Sequence, residues 1–429
     1  MKKVSFRASF ALLMAVLIIV GLAVYVVQYI QNGEKWALYF DESTSDCEYT
    51  ITDRSGKVLA KMGGGSKSYA DDANTRIACY HLTGDYTGNV GTGALNSFRR
   101  QLSGFNLITG VEKREDVTLP LTVDSDLNVK AYEALNGRSG AVMVYNYKTG
   151  EVMCMVSSPS IDPLNPPENL PDGAYINRCL SSTFVPGSVY KLVTLTAALE
   201  NIDNIYQRTF SCGGSLDVKG VTINCTGVHG QQTIEQALSN SCNCAFAEIS
   251  LELGPDIIAD YAEKLGMTTS LKLDSITTAA GNYDKDESKS AAMAWSGIGQ
   301  YNDLVSPYAM MRLSGAIANG GKAVEPSLLG ESNKTSQLIS SDTAQKVAEM
   351  MNYNVVNHYG QSSFPGLNIS AKTGTAETGD GKASHAWFTG FLNDEEHPYA
   401  FVCIVEHGGG GLRAAGSVIN AVLQAAVSK

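Results

Sequence analysis

An uncharged, apolar window near the N-terminus constrains this chain more than any other feature. Residues 8–33 contain no charged side chain, and Phe10–Ile30 is dominated by Leu, Ile, Val, Ala and Tyr. A helix that spans the hydrocarbon core needs about 20 such residues. A cleaved signal peptide is the alternative, but its apolar segment is usually shorter and is followed by a small-x-small cleavage site, which this window lacks. We therefore predict an uncleaved transmembrane anchor over residues 8–33.

The charges on either side of this window predict its orientation. Lys2, Lys3 and Arg7 precede it, and the next charged residue is Glu34. The chain has a formal net charge of −11 despite these cations, so the part after the window is acidic. Because cations mark the cytoplasmic end of a span, we expect a cytoplasmic tail of residues 1–7 and an extracytoplasmic remainder. The acidic balance also disfavours nucleic-acid binding, which depends on basic side chains.

The nine cysteines fit an extracytoplasmic location only in part, because an odd number leaves at least one thiol unpaired. Cys212 and Cys225 bracket a glycine-rich, turn-rich stretch and are a candidate disulfide pair, with free thiols as the alternative. The sequence Cys242-Asn243-Cys244 is CxC rather than CxxC and has no histidine at ligand spacing. We therefore expect no metal site there.

The chain after the anchor divides into a weakly patterned part and a strongly patterned part. Residues 34–120 mix strand-like pieces, such as Trp36–Phe40, with glycine- and serine-rich breaks, and we predict a small pedestal domain there. Residues 121–429 are predicted to form one α+β domain, in which helices lie between two early and three late strands. The predicted strands are Ala141–Tyr145, Val152–Val156, Leu367–Thr375, His385–Leu392 and Tyr399–Glu406. The predicted helices are Asp124–Leu135, Ser188–Glu200, Thr233–Leu238, Asn243–Leu253, Pro307–Ala318 and Ala414–Val427.

Ser188 and Lys191 form the first candidate catalytic group. Positions i and i+3 share a helix face, so the amine can reach the hydroxyl. A Ser hydroxyl needs a base to become a nucleophile, and Lys serves as that base when burial lowers its pKa. A surface Ser beside a solvated Lys is the alternative interpretation.

Two further groups carry suitable chemistry later in the chain. Ser241-Cys242-Asn243 falls at a break between two helical stretches, where its hydroxyl could relay a proton; alternatively, Asn243 only caps the following helix. Lys372-Thr373-Gly374-Thr375 lies in a strand whose interior glycine suggests close approach of another backbone or a ligand. The tripeptide Lys148-Thr149-Gly150 repeats part of this pattern, but it joins two strand-like runs and is interpreted as a hairpin turn.

The order Ser-x-x-Lys, Ser-x-Asn, Lys-Thr-Gly resembles the penicillin-binding protein and serine β-lactamase superfamily. Several sequence segments are similar to those of class B penicillin-binding proteins, particularly the short type with a single anchor. These segments are residues 140–163, 184–200, 295–300, 317–321 and 385–391. The resemblance covers roughly residues 119–429. It implies the β-lactamase/transpeptidase-like fold, with a five-stranded antiparallel sheet flanked by helices, and it implies no cofactor and no metal.

The resemblance also implies a role for each residue of the three groups. Ser188 would be acylated, Lys191 would accept its proton and Ser241 would pass a proton onward. Asn243 would position the peptide amide. The terminal carboxylate would be bound by Lys372 and Thr373, within the Lys372–Thr375 segment that also holds Gly374. The oxyanion hole would be the backbone N–H groups of Ser188 and Thr375.

The implied activity is that of a peptidoglycan D,D-transpeptidase in the bacterial plasma membrane. It would cross-link stem peptides that end in D-Ala-D-Ala, and β-lactams would acylate Ser188. Residues 34–120 are too few for a glycosyltransferase domain, so a partner polymerase is implied. The alternatives are a β-lactamase or D,D-carboxypeptidase of the same fold, and a non-catalytic β-lactam sensor or scaffold. No convincing counterpart of the class A β-lactamase Glu-x-x-x-Asn region is found between the second and third motifs.

Overall fold

The computed structural model describes residues 2–44, 48–63, 66–103, 105–106, 108, 110–111, 116–285, 290–379 and 381–428. The α-helices are α1 (Lys2–Thr44), α2 (Ala73–Ala78), α3 (Tyr80–Thr83), α4 (Ala94–Ser97), α5 (Arg99–Ser103), α6 (Ser125–Leu135), α7 (Lys191–Asn201), α8 (Ile234–Ser239), α9 (Asn243–Leu253), α10 (Pro255–Lys264), α11 (Ala291–Ser296), α12 (Pro307–Ala318), α13 (Ser341–Asn354) and α14 (Ser417–Val427). Short 3₁₀ turns cover Gly187–Tyr190, Ile205–Gln207 and Gln361–Ser363, and π-helical turns cover Val355–Tyr359 and Leu412–Gly416.

The strands are β1 (Glu48–Thr52), β2 (Val58–Gly63), β3 (Ser66–Tyr69), β4 (Phe105–Asn106), β5 (Gly110–Val111), β6 (Val117–Pro120), β7 (Gly140–Asn146), β8 (Val152–Ser158), β9 (Thr209–Cys212), β10 (Ser215–Val218), β11 (Val221–Asn224), β12 (Gly230–Thr233), β13 (Lys272–Leu273), β14 (Ile276–Thr277), β15 (Lys322–Val324), β16 (Thr335–Gln337), β17 (Ile369–Ala376), β18 (His385–Leu392) and β19 (Tyr399–Val405).

The N-terminal helix α1 contains the predicted anchor. Among the described residues, one helical segment, Phe6–Gly33, is long and apolar enough to cross a membrane. The apolar side chains of this segment are exposed, as lipid-facing side chains would be. The prediction of a strand at Trp36–Phe40 is wrong, because α1 continues through these residues to Thr44.

The central sheet has the order β17-β18-β19-β7-β8, and every neighbouring pair is antiparallel. This confirms the predicted five-stranded antiparallel sheet, in which the two early strands join the three late ones. Alternate residues of β7 enter different cores: Met143 belongs to one hydrophobic cluster and Val142 to the other. Helices α6 and α14 cover one face of the sheet and α12 covers the other. Burial on both faces explains why β7, β8 and β19 are largely continuous apolar runs.

A second sheet, of order β3-β2-β1-β6, lies within the predicted pedestal. Its apolar residues share a hydrophobic cluster with the central sheet, and the partly buried ion pair Arg76–Asp162, at 2.7 Å, also joins the two parts of the chain. The division of the chain at residues 120/121 into a pedestal and a transpeptidase domain stays a prediction.

Candidate active site

Ser188 lies in the 3₁₀ turn Gly187–Tyr190, which leads directly into α7. Gly187 has φ +55°, and a Cβ atom there would lie 2.5 Å from the carbonyl oxygen of Thr375. A glycine is therefore required for this turn to reach β17, and the close approach brings Ser188 beside that strand. The Ser188 side chain is partly exposed, so its hydroxyl is accessible to a ligand.

Lys191 joins Ser188 to the second motif, Ser241-Cys242-Asn243. Its Nζ atom lies 3.0 Å from Ser188 Oγ, 2.7 Å from the Ser241 carbonyl oxygen and 2.8 Å from Asn243 Oδ1. A neutral amine has two N–H groups and one lone pair. The two carbonyl oxygens can accept both N–H groups, which leaves the lone pair for the Ser188 hydroxyl proton. The contacts therefore suit a base that takes the proton of Ser188.

The electrostatic surroundings of Lys191 favour this neutral form. The side chain is completely buried, and burial lowers its pKa from 10.5 to about 7. Desolvation disfavours the ammonium form, and its hydrogen-bond acceptors, from Ser188, Ser241 and Asn243, are all uncharged. A substantial fraction of Lys191 is thus a free base at neutral pH.

The second motif forms a tight turn between α8 and α9. Ser241 has φ +51°, a left-handed conformation that is rare for residues other than glycine. This conformation directs both the carbonyl oxygen and the Oγ atom of Ser241 toward Lys191. The alternative of Asn243 as a helix cap is wrong by one residue: Cys242 caps α9, and its sulfur accepts the Ala245 N–H.

Lys372 approaches the same hydroxyl from β17. Its Nζ atom donates to Ser241 Oγ at 3.1 Å and to the Thr373 carbonyl oxygen at 3.0 Å. Burial, reinforced by the nearby Lys191 charge, holds the pKa of Lys372 well below its usual value. Ser241 Oγ therefore lies between two amines, a position suited to passing a proton.

The third motif lies on an edge strand of the central sheet. Strand β17 pairs with β18 on one side only, and its other edge faces the turn that holds Ser188. The side chains of Thr373 and Thr375 are at least partly exposed on this strand, whereas Gly374 is buried. A Cβ atom at Gly374 would lie 2.9 Å from the Pro186 carbonyl oxygen, so the interior glycine permits this close approach.

The three motifs surround one cleft of about 390 Å³. Its lining residues are Ser188, Asn224, Cys225, Thr226, Ser241, Asn243, Trp295, Ile298, Gln300, Thr373, Thr375 and Glu377. The structure thus brings together every residue of the three predicted groups.

Sequence reasoning missed Tyr359 as a residue of the site. Its hydroxyl accepts the Thr373 N–H at 3.0 Å and lies 3.2 Å from Thr373 Oγ1. Tyr359 ends a π-helical turn, and its linear sequence context contains no signal for this contact. Trp295 and Gln300 belong to a sequence segment, 295–300, that resembles class B penicillin-binding proteins, and both line the cleft.

The predicted Cys212–Cys225 disulfide is not formed in this structure, where both cysteines are free. The turn-rich stretch does bring them together, as expected. However, the Cys225 sulfur lies against Cys242 and His229 rather than being bonded to Cys212.

The fold and the site, in which the Ser188 hydroxyl lies beside the buried Lys191 amine, are those of a serine-type enzyme. The family model for the penicillin-binding protein transpeptidase domain matches residues 140–424. The chain belongs to this family.

Two curated relatives are peptidoglycan D,D-transpeptidases PbpA. The Mycobacterium tuberculosis protein is 26% identical over 67% of this chain and 66% of its own length. The Mycolicibacterium smegmatis protein is 28% identical over 76% of this chain and 74% of its own length.

The solved structures show the same fold. The D,D-transpeptidase domain of a peptidoglycan glycosyltransferase from Eggerthella lenta has a TM-score of 0.75 and 24% identity, over 90% of this chain and 99% of that one. The penicillin G acyl-enzyme of M. tuberculosis penicillin-binding protein A also has a TM-score of 0.75, with 23% identity over 89% of this chain and all of that one.

Proposed function

We propose that this chain is a membrane-anchored peptidoglycan D,D-transpeptidase that forms an acyl-enzyme on Ser188. The observation that carries the proposal is the buried amine of Lys191, 3.0 Å from Ser188 Oγ and hydrogen-bonded to uncharged acceptors. The family and its named relatives support the choice of D-Ala-D-Ala stem peptides as substrates.

Acylation begins when Ser188 Oγ attacks the carbonyl carbon of the penultimate D-Ala and its proton moves to Lys191 Nζ. The oxygen that becomes negative would be stabilised by the backbone N–H groups of Ser188 and Thr375. The close approach of Gly187, the residue before Ser188, to the Thr375 carbonyl oxygen supports this pairing. The peptide C–N bond then breaks. The proton reaches the departing D-Ala amine through Ser241 Oγ, which lies 3.2 Å from Lys191 Nζ. The product is an ester on Ser188.

Deacylation reverses these transfers with a different nucleophile. An amine of a neighbouring stem peptide attacks the ester carbonyl and loses its proton to the Lys191–Ser241 pair, and the C–O bond to Ser188 breaks. The proton returns to Ser188 Oγ and a cross-linking amide remains. A β-lactam would open its ring in the first half of this sequence and stay attached as an ester.

Substrate recognition would use the remaining polar groups of the cleft. The Lys372 amine offers N–H donors, and Thr373 and Thr375 offer hydroxyl groups, to the terminal carboxylate. Asn243 Nδ2 donates to the Asn224 carbonyl oxygen at 2.9 Å, which fixes the amide that would face the peptide backbone. The Asn243 amide, the Lys372 amine and these hydroxyl groups fit a short peptide that ends in a carboxylate.

We further propose that the anchor places the N-terminus in the cytoplasm and the site outside the membrane. The cations Lys2, Lys3 and Arg7 before the apolar segment support this orientation. Cross-linking acts on glycan strands, so a partner glycosyltransferase would supply them, and the 34–120 segment would hold the catalytic domain away from the membrane. Protease added to intact spheroplasts should digest the part that follows the anchor, and complete protection would contradict the orientation.

The activity is tested with the purified full chain in detergent, a donor peptide that ends in D-Ala-D-Ala and an amine acceptor. Mass spectrometry should detect the cross-linked amide together with released D-Ala. Ser188→Ala should abolish both products. Ser181→Ala should retain both, because Ser181 is exposed and does not line the cleft.

Each other outcome points to a different function. Release of D-Ala with only the hydrolysed donor would indicate a carboxypeptidase. Rapid turnover of penicillin would indicate a β-lactamase, and no reaction with either compound would favour a scaffold.

A further inference from the structure

Four potential metal ligands meet directly behind the Ser241–Asn243 turn. The donor atoms of Cys212, Cys225, His229 and Cys242 all lie within 4.8 Å of one another. We call these four residues the thiol–imidazole cluster. Cys212 and Cys242 are buried, whereas Cys225 and His229 are partly exposed. None of the four is used in the proposed acyl transfer.

The spacing of the donor atoms matches a tetrahedral metal site. Cys225 Sγ lies 3.7 Å from Cys242 Sγ and 3.5 Å from His229 Nδ1. With Zn–S of about 2.3 Å and Zn–N of about 2.0 Å, a tetrahedron has S···S edges of about 3.8 Å and S···N edges of about 3.5 Å. A disulfide would instead require an S–S distance of about 2.0 Å.

The chemistry of the donors selects the metal. Three thiolates and one imidazole are soft ligands, a set typical of structural zinc sites and unlike the oxygen ligands of Ca²⁺ or Mg²⁺. We propose that Cys212, Cys225, His229 and Cys242 bind one Zn²⁺ ion in a closed structural site.

Neighbouring backbone groups support the binding of thiolates. Cys225 Sγ accepts the Asn243 N–H at 3.2 Å, and Cys242 Sγ accepts the Ala245 N–H at 3.5 Å. Hydrogen bonds of this kind orient metal ligands. The Cys212 thiol donates to the Gly227 carbonyl oxygen at 3.5 Å and would give up this bond. On binding, the ion loses its water, three thiol protons pass to solvent and neutral His229 binds through Nδ1.

The chain path shows what the ion would connect. Cys212 ends β9, Cys225 follows β11 and His229 precedes β12, so these three ligands come from one small β-region. Cys242 instead caps α9 between Ser241 and Asn243. The ion would therefore fasten the β-region to the second motif.

This connection determines the position of two catalytic groups. Ser241 and Asn243, on either side of Cys242, supply three of the polar atoms around Lys191 Nζ. Zinc would act as a positioning element for this turn and would not touch substrate. The spacing around the CxC pair predicts no metal site here, whereas the fold brings His229 to Cys242.

Metal content tests the site independently of catalysis. The full chain, purified in detergent without chelators from zinc-supplemented cells, should contain about one zinc per chain by elemental mass spectrometry. Cys225→Ser and His229→Ala should each lose most of this zinc. Cys403→Ala is the matched control, since Cys403 is a free, buried cysteine of β19 that is not part of the cluster, and it should retain zinc.

Two measurements on the unmutated chain keep the test independent of whether the variants fold. Reconstitution with Co²⁺ should give the intense visible absorption of tetrahedral cobalt thiolate. Removal of zinc by a chelator should lower the midpoint of thermal unfolding, and added Zn²⁺ should restore it. An unmutated chain without stoichiometric zinc, or peptide mapping that finds Cys225 disulfide-bonded, would overturn the site. Loss of zinc from Cys403→Ala as complete as that from Cys225→Ser would overturn this ligand set. The zinc result does not depend on whether Ser188 is acylated, so failure of one proposal is distinguishable from failure of the other.

Discussion

The proton-accepting role of Lys191 predicts how the acylation rate changes with pH. Burial lowers the pKa of this amine from 10.5 to about 7. The neutral fraction is then about 9% at pH 6 and about 91% at pH 8. If only the neutral amine accepts the Ser188 proton, the acylation rate rises about tenfold between these pH values and changes little above pH 8.

An unshifted lysine gives a different profile. With a pKa of 10.5, the neutral fraction would rise about 100-fold between pH 6 and pH 8 and about tenfold more by pH 9. The interval from pH 8 to pH 9 therefore separates the two cases.

The assay is stopped-flow acylation by a fluorescent penicillin, with the second-order rate constant measured from pH 5.5 to 9.5. Ser188→Ala provides the background of chemical hydrolysis at each pH. We expect a half-maximal rate near pH 7 and a plateau above pH 8. A rate that continues to climb tenfold per pH unit through pH 9 would refute the argument that burial makes Lys191 a base at neutral pH.

Three further substitutions test the packing and charge of the site. Lys372→Met should slow acylation by about 100-fold through loss of the amine that donates to Ser241 Oγ. Lys148→Met, in the other Lys-Thr-Gly sequence, should not slow it, because Lys148 lies in a turn and bonds to Asn319. Equal rates in these two variants would contradict the role of Lys372. Lys191→Met should inactivate the enzyme yet raise the free energy of unfolding at pH 7 by about 1–3 kcal/mol. The pKa of Lys191 is about 7 in the folded state and 10.5 in the unfolded state, so below pH 7 burial of the charged amine destabilises the fold by at most about 5 kcal/mol. Lys191→Met removes this penalty, but it also removes hydrogen bonds worth about 1 kcal/mol each, which makes the net gain smaller. The penalty decreases as the pH rises from 7 toward 10.5. Denaturant titrations should therefore show that the extra free energy of unfolding of Lys191→Met is smaller at pH 10 than at pH 7. An unchanged difference would contradict the link between the pKa of Lys191 and stability. Gly187→Ala should lower the midpoint of thermal unfolding more than Gly409→Ala. Both glycines have positive φ, but only at Gly187 would the new Cβ lie 2.5 Å from a backbone oxygen. Equal midpoints in the two variants would contradict the close approach of Gly187 to β17.

The central sheet could be predicted from the sequence because both of its faces are buried. Strands β7, β8 and β19 are largely continuous apolar runs, and the predicted His385–Leu392 segment coincides with β18. The same local pattern failed at Trp36–Phe40, where a short apolar run is ambiguous between a strand and the continuation of a long helix.

The composition of the site was predictable, but its conformation was not. Spacing alone places Lys191 on the same face as Ser188, and the structure confirms the contact. The left-handed backbone of Ser241 and the hydrogen bond from the Thr373 N–H to the Tyr359 hydroxyl depend on tertiary packing, to which no sequence period corresponds. The contact of His229 with Cys225 likewise follows from how the β-region folds back onto α9.

The most direct test of the account is to identify the residue that penicillin acylates. The full chain is incubated with benzylpenicillin, digested and analysed by tandem mass spectrometry at successive times. We predict that the penicilloyl mass lies on Ser188, that it persists long after free penicillin is removed, and that Ser188→Ala shows no adduct. An adduct on another residue, or an adduct on Ser188 that is lost as fast as it forms, would contradict the assignment of a serine transpeptidase.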